Sequence, residues 1–143
     1  MKTIKTYIKE SQTIKKFTDI IIECNGELLL LRRANYIKRF GGKWCIPGGH
    51  CDDNELSEKT ALRELKEETT IVINNPSFLM TYKYTTGETS DIYYKQLSEK
   101  PEVKISREHA QFKWVPIAEL NKYKGKYAGE TFEILEKYIE ATK

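Results

Sequence analysis

Apolar and β-branched residues crowd two short stretches near the start of the chain, Phe17–Cys24 (FTDIIIEC) and Glu27–Arg33 (ELLLLRR), with Asn25-Gly26 between them. Asn-Gly between two such runs is the strongest short-range sign of a hairpin, so two paired strands are expected here. Residues 34–42 are polar and end in Gly41-Gly42, which reads as a loop. Trp44-Cys45-Ile46 reads as a short strand stopped by Pro47-Gly48-Gly49. From Ser57 to about Thr69 the period changes: Ala61, Leu62 and Leu65 recur at helical spacing. Ser57 suits the N-cap of that helix and Glu58 its first turn. Ser77–Thr85 and Ser90–Leu97 form a second strand pair around Gly87, and Phe112–Val115 is a further strand closed by Pro116. Phe132, Leu135, Tyr138 and Ile139 mark Thr131–Ala141 as an amphipathic helix. No repeat, low-complexity segment or Gly/Pro/Ser-rich linker interrupts the chain. The order predicts one domain over residues 1–143, of α+β class, with hairpin-rich layers rather than a doubly wound parallel sheet.

Composition narrows the class. Of 143 residues, 39% are hydrophobic and 31% charged, which excludes a disordered tail and a collagen-like fibre. The longest unbroken apolar stretch is Leu28–Leu31, far short of the ~20 residues that span a bilayer. Lysines follow Met1 without an apolar run after them, so no secretory signal is expected. Three cysteines, Cys24, Cys45 and Cys51, are an odd number. With no export signal they read as reduced thiols, and a cytoplasmic location is expected.

Charge is unevenly spread. Residues 49–71 carry seven acids against three bases, a net of −4, and leave +7 on the remainder of a chain that totals +3. A charge run is ordinarily a solvated face, so spacing has to decide. Glu64, Glu67 and Glu68 stand at i, i+3 and i+4, which projects three carboxylates from one helix face. Like charges at that spacing repel, and each pair costs a few tenths of a kcal/mol. Hard divalent cations take such oxygen ligands together with substrate phosphates. Arg63, four residues before Glu67, is placed to orient it. Gly48-Gly49 lies just ahead, where a bare backbone can approach an anion or offer a carbonyl to a metal.

The stretch GGHCDDNELSEKTALRELKEETTI resembles the signature of the Nudix hydrolases. That signature reads Gly, five residues, Glu, seven residues, Arg-Glu-apolar-any-Glu-Glu-any-Gly-apolar. Eight of its nine specified positions match between Gly49 and Ile71. Thr70 stands where the family has glycine just past the helix. A β-branched residue resists positive φ, so the helix is expected to exit differently there.

The resemblance implies an α/β/α sandwich around a mixed sheet, with a catalytic loop-helix-loop. It implies Mg²⁺, or Mn²⁺ in its place, on Glu64, Glu67 and Glu68, with the Gly48 carbonyl contributing. Glu55 and Arg63 are then a structural pair tying loop to helix. Many members recruit a further glutamate from a loop before a Trp-containing strand, and Glu108, six residues ahead of Trp114, is the candidate. Glu64 and Glu108 are both candidate bases. Arg33 in LRRA resembles the arginine that grips substrate phosphate in triphosphate-cleaving members, and Arg32 adjoins it. Phe40, Trp44 and Tyr36 are candidates for stacking a base, worth roughly 1–3 kcal/mol.

The implied activity is Mg²⁺-dependent hydrolysis of a nucleoside diphosphate linked to another moiety, a nucleoside triphosphate or nucleotide sugar, releasing a nucleoside monophosphate. The alternatives are a catalytically silent ligand-sensing or interaction domain and an RNA-end-processing enzyme. Intact Arg63, Glu64, Glu67 and Glu68 favour an enzyme. Members that clean up oxidised guanine nucleotides read the purine with an asparagine before the terminal helix, and Gly129-Glu130-Thr131 lies there instead. No marker of ADP-ribose or dinucleoside polyphosphates follows the motif. The expected partner is a small nucleotide, with no membrane, acting as a monomer or homodimer. The lysines at 2, 5, 9, 15 and 16 read as solubility rather than nucleic-acid contact, since no nucleic-acid-binding motif accompanies them. Cys45, His50 and Cys51 match no common zinc spacing.

Overall fold

The computed structural model describes residues 16–143, so the lysines at 2, 5, 9 and 15 lie outside the described residues. The elements are β1 (Lys16–Cys24), β2 (Glu27–Arg33), β3 (Trp44–Cys45), β4 (Gly48–His50), α1 (Ser57–Thr69), β5 (Ser77–Lys83), β6 (Thr89–Leu97), β7 (His109–Pro116), a 3₁₀ turn (Ile117–Tyr123) and α2 (Thr131–Thr142). Asn25 and Gly26 have φ of 51° and 79°, both positive as a tight type I′ hairpin needs. β7 runs further than Phe112–Val115 because its first residues, including Gln111, are polar and pair with β2 without an apolar pattern to announce them.

All seven strands form one mixed sheet. β1 runs parallel to β6 along its whole length, while the β1–β2, β2–β7 and β5–β6 pairs are antiparallel. Successive side chains on a strand face opposite ways. Ile20, Ile22, Leu29 and Leu31 therefore pack with Ala61 and Leu65 of α1, while Ile21, Leu28 and Leu30 pack with Ile134, Leu135 and Tyr138 of α2. Both faces are covered, which is why the strands read as unbroken apolar runs rather than an alternation. The α/β/α sandwich expected from the sequence is the fold.

The sheet divides where the site forms. β1 and β2 pair only beside their hairpin, at Glu23–Leu28 and Cys24–Glu27. Beyond that they part, and residues 44–50 fill the fork: β3 pairs with β2, β4 with β1. Gly48 and Gly49 thus do not stop a strand, as their sequence suggested. They form one, opposite Asp19 and Thr18. A side chain at Gly48 would collide with Asp19 Oδ1 and the Thr18 carbonyl, so close strand approach requires glycine there.

Two helix-end expectations are corrected. Leu56, not Ser57, is the N-cap residue of α1, and no side chain caps that end. The Ser57 hydroxyl is instead 2.6 Å from the Tyr93 hydroxyl on β6. Thr70 adopts the left-handed conformation, φ 65° and ψ 4°, and its amide donates to the Lys66 carbonyl. The helix exits as it would with glycine. Thr69 supports that exit, its hydroxyl donating to the Leu65 carbonyl at 2.6 Å and accepting from the Ile71 amide at 3.1 Å.

Candidate active site

α1 crosses the fork with Glu64 and Glu68, one turn apart, against β4. The Gly48 amide donates to Glu68 Oε1 at 3.0 Å. A Cβ at Gly49 would lie 2.5 Å from Glu64 Cδ and 2.6 Å from its Oε1, so the missing side chain is the space that carboxylate uses. Leu65, fully buried between them in sequence, anchors the helix to the sheet.

Arg63 organises the outer side. Its Nε and Nη2 donate to the two oxygens of Glu55 at 3.0 and 3.1 Å, the bidentate pair expected to tie loop to helix. Its Nη1 reaches Glu64 at 3.2 Å and Glu67 at 3.2 Å. The Arg63 guanidinium, with the Thr60 hydroxyl, holds the Glu55 carboxyl down at about 2. Glu64 and Glu68 move the other way. Burial pushes both carboxyls up, and neighbouring negative charge, including that of Glu108, adds to it. The Arg63 charge partly offsets this at Glu64, and the Gly48 amide does so at Glu68.

This donor set fits a hard divalent cation. It consists of carboxylate and carbonyl oxygen, it carries more negative charge than burial favours, and at Gly49 the fold leaves room for the Glu64 carboxylate. Among the described residues no three His, Cys, Asp or Glu side chains form a ready-made metal cage. Glu67 turns to Arg63 and Glu68 to Gly48 instead. Glu108 is exposed, in the turn just ahead of β7, and its carbonyl accepts the Ala34 amide at 2.8 Å.

A cleft of about 520 Å³ opens from this fork toward the start of α2. Arg33, Phe40, Gly48, Gly49 and Glu68 line it, so these sequence candidates come together. Arg33 follows a register shift in β2 and donates from Nε to the Arg39 carbonyl at 2.9 Å. Such bulges re-aim side chains. Phe40 has a φ of 61° and sits beside Gly129.

Glu55, Arg63, Glu64, Glu67 and Glu108 do not line the cleft, and three further candidates lie away from it. Arg32 is held by Gln111 at 3.1 Å, away from the cleft. Trp44 is buried in the α2-side core, edge-on to Tyr123 at 5.4 Å. Its β-sheet position turns an aromatic that could stack a base into a core residue. Tyr36 is 70% exposed and bonds the Arg107 carbonyl.

Several cleft residues escaped the sequence reading. Asp19, Tyr84, His109 and Glu130 all line it. Asp19 was the one with a signal: an acid inside the β-branched strand FTDIIIEC. Its Oδ2 accepts from the Ser90 hydroxyl at 2.5 Å and the Tyr84 hydroxyl at 3.4 Å. Burial pushes its carboxyl up to about 6 against those two bonds. His109 is buried, its Nε2 is 3.9 Å from Cys45 Sγ, and burial with the Arg33 charge pushes its imidazole down to about 4.

Comparison with known proteins decides the family. The family model for the NUDIX domain matches residues 16–137. The chain belongs to the Nudix family. Among curated relatives, this Nudix chain is 29% identical over 116 residues to nucleoside triphosphatase NudI of Escherichia coli K12, covering 72% of this chain and 82% of NudI. It is 38% identical over 64 residues to an ADP-ribose pyrophosphatase of Methanocaldococcus jannaschii, covering 45% of this chain and 37% of that enzyme. It therefore spans only about a third of that relative's length. Among solved structures, the NUDIX domain of Shewanella oneidensis NrtR, complexed with ADP ribose, superposes with a TM-score of 0.76 at 24% identity, over 90% of this chain and 88% of that one. That likeness is one of fold.

Proposed function

We propose that this Nudix chain is a divalent-cation-dependent hydrolase that cleaves the diphosphate of a nucleoside diphosphate joined to another group, releasing a nucleoside monophosphate. The observation carrying this reading is the seating of Glu64 and Glu68 on Gly49 and Gly48 at one end of a cleft that Arg33 lines. The names of NudI, a nucleoside triphosphatase, and of the M. jannaschii ADP-ribose pyrophosphatase support the substrate class.

Glu64, Glu67 and Glu68, with Glu108 and the Gly48 carbonyl, are the groups that would hold Mg²⁺, or Mn²⁺ in its place. When bound, such a cation supplies charge neutralisation at the diphosphate and acidifies water. The residues do the rest. Arg63, clamped by Glu55, fixes α1 so that Glu64 and Glu68 keep their register with β4. Arg33 offers a cationic fork to a phosphate oxygen. Water adds to phosphorus as the P–O anhydride bond breaks, and a carboxylate takes its proton. Glu64 is the first acceptor to test, its carboxylate lying over Gly49 at the fork. Glu108 is the second acceptor to test. The three free cysteines suit a reducing, cytoplasmic setting.

A screen for nucleoside monophosphate release over nucleoside triphosphates, nucleotide sugars and dinucleotides, with Mg²⁺ and then with EDTA, tests this reading. Turnover that disappears with chelator and returns with Mg²⁺ is expected. Tight ligand binding without turnover of any compound would make the chain a silent sensor.

A further inference from the structure

The cleft is chemically divided along its length. Arg33 and Glu68 line it with Gly48, while Thr85, Thr86 and Glu130 line the wall near the start of α2. Asp19 faces both, its Oδ1 against Gly48 and its Oδ2 on Tyr84 and Ser90. The acids of the inner part differ in how far they are used. Glu130 accepts from the Tyr82 hydroxyl at 2.9 Å, the Thr85 amide at 3.2 Å and the Thr85 hydroxyl at 3.3 Å. It is a brace between the turn after β5 and the start of α2. Asp19 is anchored through one oxygen only. Ser90 and Tyr84 both donate to Oδ2, and among the described residues no donor reaches Oδ1.

We propose that Asp19 selects the ligand of this cleft, its Oδ1 accepting a hydrogen bond from a donor group on the nucleoside. Resting on the nucleotide-hydrolase reading above, the proposal follows from elementary chemistry. A ligand that fills the cleft strips water from Oδ1, and a carboxylate oxygen left without a donor is costly. A phosphate brought to Asp19 meets like charge, whereas toward Arg33 it meets a cation. The ligand is thus oriented with a phosphate on Arg33 and a donor at Asp19. The donor is an exocyclic amine of the base or a hydroxyl of the ribose. A carbonyl at the same place sets acceptor against acceptor, so Asp19 discriminates as well as binds. Two anchoring hydroxyls fix the carboxylate plane, which favours one donor position over others.

Calorimetric binding of nucleoside monophosphates, which have no diphosphate to cleave, tests this on the whole chain. AMP and GMP against IMP, and CMP against UMP, vary the amine. AMP against its 2′-deoxy and 3′-deoxy forms varies the hydroxyl. The wild-type chain is expected to prefer the member bearing the amine or hydroxyl in at least one pair by about tenfold, as a charge-assisted hydrogen bond supports. Asp19→Leu, of similar shape but with no acceptor, is expected to reduce that preference to about threefold or less. Tyr84→Phe, which leaves the carboxylate in place but removes one anchor, is expected to give an intermediate preference. Absence of any preference in the wild type overturns the proposal, as does a preference that survives Asp19→Leu. A uniform loss of affinity for every nucleotide in Asp19→Leu also overturns it. A binding preference without turnover in the screen above would sink the hydrolase reading and leave the Asp19 assignment standing. Turnover without a preference would do the reverse.

Discussion

Gly49→Ala and Gly48→Ala each replace one hydrogen with a methyl group at neighbouring positions, and the structure gives them opposite outcomes. At Gly49 the new Cβ would stand 2.5 Å from Glu64 Cδ. Ordinary carbon–carbon contact is about 3.5–4.0 Å, so the carboxylate must retreat by roughly 1 Å. Glu64 is the far end of a flexible chain, so its retreat costs the fold little, about 1 kcal/mol or less. The same displacement at a reacting centre costs about 10²-fold in rate. At Gly48 the obstacles are the Thr18 carbonyl, Asp19 Oδ1 and Asp19 Cα, the last at 2.9 Å. Two of those are backbone of a central strand and have no rotamer to change. Forcing them apart costs about 1–3 kcal/mol or more. At ~2–4 °C per kcal/mol for a chain of this size, Gly48→Ala lowers the melting temperature by about 5 °C. Gly49→Ala is expected within about 3 °C of wild type but about a hundredfold down in kcat at saturating Mg²⁺. Thermal denaturation paired with turnover on the best substrate of the screen reads both. Wild-type kcat in Gly49→Ala, or equal destabilisation by the two variants, would refute the placement of Glu64 on Gly49.

Thr70→Gly should stabilise the chain by about 1 kcal/mol, raising the melting temperature by about 3 °C, because a β-branched residue is relieved of left-handed backbone; an unchanged or lower value would show that the Thr70 side chain compensates its strain. Glu55 has its carboxyl held at about 2 by Arg63, below its ordinary value of 4.5. Its contribution to stability is therefore present above pH 4.5 and lost as pH falls toward 2. The melting-temperature gap between wild type and Glu55→Gln should accordingly be widest near neutral pH and close on acidification; a constant gap would argue against the ion pair. Glu108→Ala, at an exposed position, should leave the melting temperature unchanged and lower kcat by about tenfold or more, equivalent to about 1.36 kcal/mol. Unchanged kcat at every Mg²⁺ concentration would return Glu108 to an ordinary loop carboxylate.

The sequence was most legible where one physical signal dominated. Asn25-Gly26 and the flanking apolar runs set the hairpin, and the 3.6-residue period marked both helices. The carboxylate spacing marked α1 as the candidate chemical element. What failed to show did so for identifiable reasons. Gly48-Gly49 looked like a strand stop because glycine carries no side-chain pattern, yet the fork between β1 and β2 needs a bare strand there. Ser57 had a good capping side chain, but a tyrosine two strands later in sequence claimed its hydroxyl. Thr70 kept the glycine conformation because the Thr69 hydrogen bonds and the Lys66 carbonyl over-determine the turn. Trp44 and Arg32 carried plausible site chemistry, and only the sheet decides which way such side chains face. The inner cleft was least visible, since Asp19, Tyr84, His109 and Glu130 meet there from four separated segments.

The central claim is that Glu64 and Glu68, seated on β4, are the chemical heart of a cation-dependent diphosphate hydrolase. The most direct measurement is kcat of Glu68→Gln at saturating Mg²⁺ on the best substrate of the screen. Glutamine keeps an acceptor for the Gly48 amide, so the fold is expected to survive with an unchanged or slightly higher melting temperature, since burial disfavours the charge it removes. The account predicts a loss of about a hundredfold or more in kcat in a fully folded variant. Wild-type turnover by that folded variant would contradict it.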